Sequence, residues 1–122
     1  MREVCFLIGR GDAILHADAS SSPAALPDSR ARWEAIWRHR DELDAIVHSH
    51  PVGPAVFSDE DLSTMAAIDS ALGRPVRYCV VAPRVTITRV GDGAIETMNP
   101  EPWWSALLRL ASGMTGKKQE TP

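Results

Sequence analysis

Two histidines and an aspartate lie close together near the middle of the sequence, with spacings that suit the binding of one metal ion. His48 and His50 are separated by one residue at the end of a β-forming run, and alternate residues of a strand point to the same face of a sheet. Asp61 is the third residue after Ser58, which can cap a helix. Two imidazoles, a carboxylate and an open fourth position form the donor set of catalytic zinc, although iron, cobalt or nickel could bind the same set. We therefore predict one zinc ion per chain, held by His48, His50 and Asp61.

These residues must be positioned by a folded domain, and the pattern along the chain predicts an α/β domain with a mixed sheet. Strand-like and helical segments alternate in the first two-thirds, and strands cluster later. We predict strands over residues 4–8, 13–17, 43–48, 76–82, 85–90 and 94–98. We predict helices from a cap at Asp28 or Ser29 to about residue 42, from a cap at Ser58 to about residue 72, and from residue 102 to about residue 112. The domain is expected to span residues 1–114, followed by a flexible polar tail at residues 115–122.

The first two predicted helices carry apolar residues at helical spacing. In the first, the apolar positions Trp33, Ile36, Trp37 and Leu43 keep roughly helical spacing and are expected to form its inner face. Its other sides carry arginines at positions 30, 32, 38 and 40, which we interpret as a solvated surface. The positions of the second helix expected to face the core are Leu62, Met65, Ala66 and Leu72.

The composition of the 122 residues excludes several classes of function. Hydrophobic residues make up 44% of the chain, and the net charge of −3 with a pI of about 5.7 offers no basic surface for nucleic acid. No run approaches the roughly 20 apolar residues that cross a bilayer, and the apolar N-terminal stretch is too short for a signal peptide. We expect a cytoplasmic protein that binds neither nucleic acid nor membranes. Cys5 and Cys79 lie in apolar runs and are expected to be buried, unpaired thiols.

The metal-binding segment resembles the signature of the JAMM (MPN+) metalloprotease family. That signature is His-Ser/Thr-His, seven residues, Ser, two residues and Asp, with a glutamate upstream. The seven-residue spacing is met between the second histidine and Ser58, and Asp61 follows on schedule. Glu3 and the apolar run that ends at Gly9 look like the strand that opens the family's domain. The resemblance implies a three-layer, cytidine-deaminase-like fold with a mixed sheet flanked by helices, and metal-dependent hydrolysis of amide bonds.

Hydrolysis at such a site also needs groups that handle protons and charge. Zinc lowers the pKa of its bound water toward about 7, and a carboxylate must take the proton and pass it to the leaving amine. The resemblance assigns this role to Glu3, with Glu34 and Glu60 as the alternatives. Glu60 is next to Asp61 on a helix and therefore points elsewhere. The Ser58 hydroxyl can cap the helix and also donate to a developing oxyanion.

The resemblance further implies a protein substrate. Family substrates are typically ubiquitin-like proteins, and here we expect a ubiquitin-like or sulfur-carrier protein whose extended Gly-Gly tail adds as a strand to a sheet edge near the metal. The stretch between Asp61 and Cys79 leaves no room for the insertion of polyubiquitin-selective members. Two alternatives are a non-catalytic MPN-type scaffold and a DNA-repair-associated relative of the RadC kind. The complete donor set counts against the first, and the acidic pI against the second.

Overall fold

The computed structural model describes residues 1–23 and 29–114, and in these ranges six strands, three α-helices and a short 3-10 helix (Arg10–Asp12) form a layered domain. Residue Asp28 and the predicted tail at residues 115–122 lie outside the described residues. The elements are β1 (Val4–Gly9), β2 (Ile14–Ala19), α1 (Arg30–Arg38), β3 (Leu43–Ser49), α2 (Asp59–Leu72), β4 (Arg77–Val81), β5 (Thr86–Val90), β6 (Glu96–Thr97) and α3 (Trp103–Ser112). None of the helices in the described ranges is long and apolar enough to cross a membrane.

The strands form one mixed sheet in the order β2-β1-β3-β4-β5-β6. The pair β3–β4 is parallel, with α2 as the crossover between them, and the other neighbours are antiparallel. Side chains of α1 and α2 pack on one face of the sheet, and side chains of α3 pack on the other. The predicted three-layer α/β arrangement is therefore confirmed, and β3, which contains His48 and leads directly into His50, lies at its centre.

Successive side chains of each strand point to opposite faces of the sheet, and this alternation divides the core into two clusters. On β1, Cys5 and Leu7 face α1 and α2, whereas Phe6 and Ile8 face α3. On β3, Ile46 faces α1 and α2. Because His48 is two residues beyond Ile46, the histidines share the face that α1 and α2 cover.

Helix α1 is shorter than predicted, because residues 39–42 form turns in place of its last helical turn. Ser29 caps it as expected, with its side chain accepting a hydrogen bond from the Arg32 amide, but the helix ends at Arg38 instead of residue 42. The Arg74 guanidinium, from the segment after α2, donates to the carbonyls of Arg40 (2.8 Å) and Leu43 (2.9 Å). These two hydrogen bonds stabilise the path of the chain from α1 into β3.

Two expectations for the side chains of α1 were wrong. Trp37 is exposed, and the Arg40 guanidinium lies 4.1 Å from its ring centroid. Arg32 is buried instead of solvated, and it pairs with the Asp18 carboxylate of β2 at 2.7 Å and 3.1 Å. Pairing with a carboxylate offsets the cost of removing the guanidinium from water, so this arginine can pack α1 against the edge of the sheet.

Helix α2 is rotated from the predicted orientation. Met65 is buried and Leu72 is partly buried, as expected, but Leu62 and Ala66 are exposed, and Ile68 takes their place in the core. The predicted buried thiols are confirmed: Cys5 and Cys79 are free and buried. Burial raises the pKa of the Cys5 thiol to about 12 and that of Cys79 to about 11.

Candidate metal centre

The two histidines extend from the end of the central strand of the sheet. His48 lies opposite Cys5 of β1 and Val80 of β4, and the His50 amide continues the ladder by donating to the Val81 carbonyl at 2.9 Å. Both side chains are largely shielded from solvent. The sheet therefore holds the backbone of both residues on a rigid element, as predicted.

Asp61 reaches the histidines because a capping box sets the start of α2. The Ser58 hydroxyl accepts a hydrogen bond from the Asp61 amide at 3.0 Å, and the Asp61 carboxylate accepts one from the Ser58 amide at 2.9 Å. These two bonds satisfy backbone donors that the first turn of a helix leaves free. The same carboxylate faces the imidazoles, so the predicted Ser-x-x-Asp motif both begins the helix and orients a donor.

The three predicted ligands have the spacing of donors around one ion. The Nε2 atoms of His48 and His50 are 3.1 Å apart. Asp61 Oδ1 lies 3.2 Å from His48 Nε2, and Asp61 Oδ2 lies 3.5 Å from His50 Nε2. Tetrahedral zinc with bonds of about 2.0–2.1 Å separates its ligand atoms by about 3.3 Å. These separations are close to that value, so the side chains present are compatible with a zinc ion.

A backbone carbonyl orients one of the imidazoles. His50 Nδ1 lies 3.0 Å from the Pro54 carbonyl oxygen, and a proton on Nδ1 makes this a hydrogen bond that leaves Nε2 free to bind a metal. Metal-binding histidines usually donate their other ring N–H in this way. The loop folds back to this position through Gly53, whose φ of 67° lies in the left-handed region.

Glu3 lies beside the same cluster and is only 7% exposed. Donor atoms of Glu3, His48 and His50 all lie within 4.8 Å of one another. Two sets of three donors therefore share the histidines, one completed by Asp61 and the other by Glu3. The alternative bases differ in position. Glu60, which was expected to point elsewhere, lines the cavity, whereas Glu34 forms an exposed ion pair with Arg30 at 3.0 Å.

The backbone around Glu3 is held on both sides. The Glu3 amide donates to the Ser22 carbonyl at 2.9 Å, and the Val4 amide donates to the Ser49 hydroxyl at 2.9 Å. Ser49, the residue between the histidines, in turn accepts a 2.6 Å hydrogen bond from the hydroxyl of Ser112 in α3. The motif predicted from the sequence includes Ser49, but sequence reasoning gave it no role, although a serine inside a buried apolar strand is a signal for a buried hydrogen bond.

We expect Ser49→Ala to destabilise the fold. Ser49 is fully buried, so its loss leaves the Val4 amide without its partner in a place that water does not reach. Such an unsatisfied group costs about 1–3 kcal/mol. Urea denaturation would measure the free energy of unfolding, with Ser70→Ala, on the exposed side of α2, as the matched control. Equal stabilities for the two variants would show that the Val4–Ser49 hydrogen bond contributes nothing.

Burial and hydrogen bonding shift the pKa values of the acidic groups in opposite directions. Burial raises the pKa of Glu3, although His48 and His50 oppose the rise. Burial alone would also raise the pKa of Asp61, but hydrogen bonds from the imidazoles and a backbone amide outweigh it and hold that pKa well below its usual range. Burial lowers the pKa of His50, but its hydrogen bonds to Asp61 and a backbone carbonyl outweigh burial and raise it overall. Asp61 is therefore ionised at neutral pH, and Glu3 is the stronger base.

The donors open into a cavity of about 610 Å³ between the sheet, α1, α2 and the loop after β3. Its inner wall is apolar and includes Trp33, Ile36 and Met65, and its mouth carries Val52 and Val56. The polar groups that line it include Glu3, Arg32, His48, His50, Ser58, Glu60 and Asp61. An apolar cavity with a few convergent polar groups is the usual form of a ligand or active site.

A comparison with family profiles identifies the family of the chain. The profile of the family described as prokaryotic homologs of the JAB domain matches residues 3–104. Among solved structures, the chain is similar to the solution structure of protein DSY2949 from Desulfitobacterium hafniense, with 22% identity, a TM-score of 0.45 and coverage of 79% of this chain and 75% of that one. A comparison with curated proteins found no match.

Proposed function

This chain belongs to the family of prokaryotic homologs of the JAB domain, and we propose that it is a zinc-dependent hydrolase. Its substrate would be an amide or isopeptide bond at the C-terminal tail of a ubiquitin-like or sulfur-carrier protein. The observation that carries the proposal is the mutual spacing of His48, His50 and Asp61, at 3.1, 3.2 and 3.5 Å. A scaffold that only binds its partner has no need for three donors at these distances.

We assign Asp61, and not Glu3, as the third ligand. The Asp61 carboxylate is near hydrogen-bond distance of both imidazoles and is ionised. Glu3 is held near the cluster by the backbone of β1 and its neighbours, within 4.8 Å of the histidine donors. A carboxylate beside the ion, with a pKa raised by burial, is suited to take a proton from water near neutral pH. Zinc held by the three ligands would supply Lewis acidity toward water and the scissile carbonyl.

The residues of the chain account for the proton transfers of hydrolysis. As the water oxygen bonds to the carbonyl carbon, Glu3 takes one proton from that water. The Ser58 hydroxyl, whose oxygen already accepts from the Asp61 amide, still has its own proton to donate to the oxyanion. When the C–N bond breaks, Glu3 returns the proton to the amine nitrogen. The products are a carboxylic acid and an amine, and transfer of the acid proton to the amine leaves a carboxylate and an ammonium group at neutral pH.

The shape of the cavity supports an extended tail as substrate. Loop residues Val52 and Val56 stand exposed at its mouth, where they can contact the folded part of a carrier while a narrow Gly-Gly tail enters. Residues 20–22 continue the β2 ladder against Glu3, through the Ser20 amide to the Glu3 carbonyl and the Glu3 amide to the Ser22 carbonyl. This segment continues β2, the edge strand of the sheet, so a tail that adds as a strand at this edge would lie near Glu3.

We therefore expect the zinc-loaded chain to cleave a folded carrier conjugate far better than a peptide. The test compares kcat/KM for a ubiquitin-like protein joined through its C-terminal Gly-Gly to a lysine amine with that for a Gly-Gly tetrapeptide. Contacts remote from the scissile bond should raise kcat/KM by about 100-fold or more. Comparable kcat/KM values for the conjugate and the tetrapeptide would show that the carrier is not the substrate. Binding of the carrier without cleavage would identify the chain as a scaffold.

A further inference from the structure

The cavity extends inward from the metal-binding residues, along the strand that carries them. His48 lies opposite Cys5 of β1, and Ile46, two residues further into β3, lies opposite Tyr78 of β4. Because a strand rises about 3.3 Å per residue and alternate residues share a face, Ile46 lies about 7 Å inward from His48 on the same face. Cys5, Ile46 and Tyr78 all line the cavity. The metal-binding residues therefore stand between the mouth of the cavity and an inner end.

The inner end of the cavity is apolar and is closed by the core. Ile46 and Tyr78 form its floor, and Ile36 of α1 and Met65 and Ile68 of α2 complete its walls. All of these residues belong to the buried cluster between the sheet and the two helices. The inner pocket, defined by these five residues, can therefore hold the end of a side chain but does not let a main chain pass through.

The strongly polar groups beside the inner pocket are already paired. The Tyr78 hydroxyl donates to the Asp69 carboxylate. The Arg32 guanidinium, which also lines the cavity, is paired with the Asp18 carboxylate at 2.7 Å. A polar group that entered the inner pocket would exchange water for apolar side chains, at a cost in free energy. An apolar group would gain free energy from the same transfer.

The two sides of the scissile bond face different parts of the cavity. In the proposed function, on which this inference rests, the glycine tail enters by the mouth, where Val52 and Val56 are exposed. With the scissile carbonyl at the metal-binding residues, the leaving amine lies on the inner side. Glycine has no side chain with which to fill the inner pocket, so the group that fills it belongs to the amine.

We propose that the inner pocket binds a bulky apolar side chain on the carbon next to the leaving nitrogen. The bond cleaved is then a peptide bond to a residue such as leucine or phenylalanine, in preference to an isopeptide bond to lysine. A lysine stem would carry the peptide groups of its own main chain toward the closed apolar end, where they would lack hydrogen-bond partners. Met65, with its flexible thioether, can adjust to a branched or an aromatic side chain.

The test compares leaving groups on one carrier with the zinc-loaded chain. A ubiquitin-like protein is joined through its C-terminal Gly-Gly to leucinamide, phenylalaninamide, glycinamide or the ε-amine of Nα-acetyl-lysinamide. The kcat/KM values for the leucine and phenylalanine conjugates should exceed that for the glycine conjugate by about 10–100-fold, the usual effect of burying such a side chain. The lysine conjugate should match the glycine conjugate within a few-fold.

Thr64→Phe tests whether the inner pocket is responsible for this preference. Thr64 lines the cavity one helical turn beyond Asp61, so a phenylalanine ring there should occupy the inner pocket and lower the leucine-to-glycine ratio of kcat/KM by about 10-fold or more. Ala66→Phe places the same ring on the exposed side of α2 and should keep the wild-type ratio. Trp33→Ala, which removes part of the cavity wall, should also lower the ratio and serves if Thr64→Phe does not fold.

Equal kcat/KM values for the leucine and glycine conjugates, or faster cleavage of the lysine conjugate, would overturn the inference and leave the proposed hydrolase intact. A leucine preference that survives in both Thr64→Phe and Trp33→Ala would also overturn it. If no conjugate is cleaved, the proposed function fails, and calorimetric titration of the free amines decides about the pocket. Phenylalaninamide should then bind about 10-fold or more tightly than glycinamide and lose this advantage in Thr64→Phe, whereas equal affinities would exclude the pocket.

Discussion

Glu3→Gln should lower kcat by about 10²–10⁴, the usual cost of losing a general base, while zinc content stays at one ion per chain. Glutamine keeps the size of the side chain and can still hydrogen-bond to water, but it cannot take a proton. The backbone bonds that hold Glu3 in place use its amide and carbonyl groups, so the substitution leaves them intact. Stability should not fall, because a neutral side chain replaces a buried carboxyl whose ionised form is disfavoured by desolvation.

Two matched variants make this result specific. Glu60→Gln changes a carboxylate that lines the same cavity, and Glu34→Gln changes one that is paired with Arg30 on the surface of α1. Both should keep kcat within a few-fold of wild type. If Glu60→Gln loses activity while Glu3→Gln keeps it, the base has been misassigned.

The features that were predictable from the sequence depend on short-range rules. His48 and His50 share a face because a strand has a period of two residues, and the capping box of α2 was visible as Ser58 followed by Asp61. The layered α/β fold followed from alternating runs of strand and helix. The ends of the strands were predicted less accurately: of the predicted strand over residues 94–98, only Glu96–Thr97 forms a strand.

The features that were missed depend on contacts between distant parts of the chain. Periodicity could not show that Arg74 would bind the carbonyls after α1 and end that helix early. It also could not show that Arg32 would form an ion pair with Asp18 and become buried. The approach of Asp61 to the histidines was suggested by motif spacing, but the distances required the loop after β3 to fold back through Gly53.

Asp61→Asn should abolish tight zinc binding. The substitution removes the charge of the one anionic ligand, and asparagine can still accept a hydrogen bond from the Ser58 amide, so α2 should still begin at the same residue. Loss of a group that only orients a ligand costs 10–100-fold in metal affinity, and loss of a ligand should cost at least about 100-fold. His39→Ala, which removes a histidine paired with Glu42 at the end of α1, should bind zinc like wild type.

The affinity of wild type for zinc should fall as the solution becomes acidic. Each imidazole must be neutral to bind a metal, and in the metal-free site the pKa of His50 is raised. Protons therefore compete with zinc at a higher pH than they would for an exposed histidine. Asp61, with its lowered pKa, stays ionised throughout this range and does not contribute to the loss.

Zinc affinity, measured by equilibrium competition with a chromophoric chelator for wild type, Asp61→Asn and Glu3→Gln, tests the central assignment most directly. Each substitution removes one of the two carboxylates that could serve as the third metal ligand beside His48 and His50. We predict one tightly bound zinc per chain in wild type and in Glu3→Gln, and at least about 100-fold weaker binding in Asp61→Asn. Retention of zinc by Asp61→Asn together with its loss from Glu3→Gln would contradict the account, because the metal would then be held by Glu3, His48 and His50.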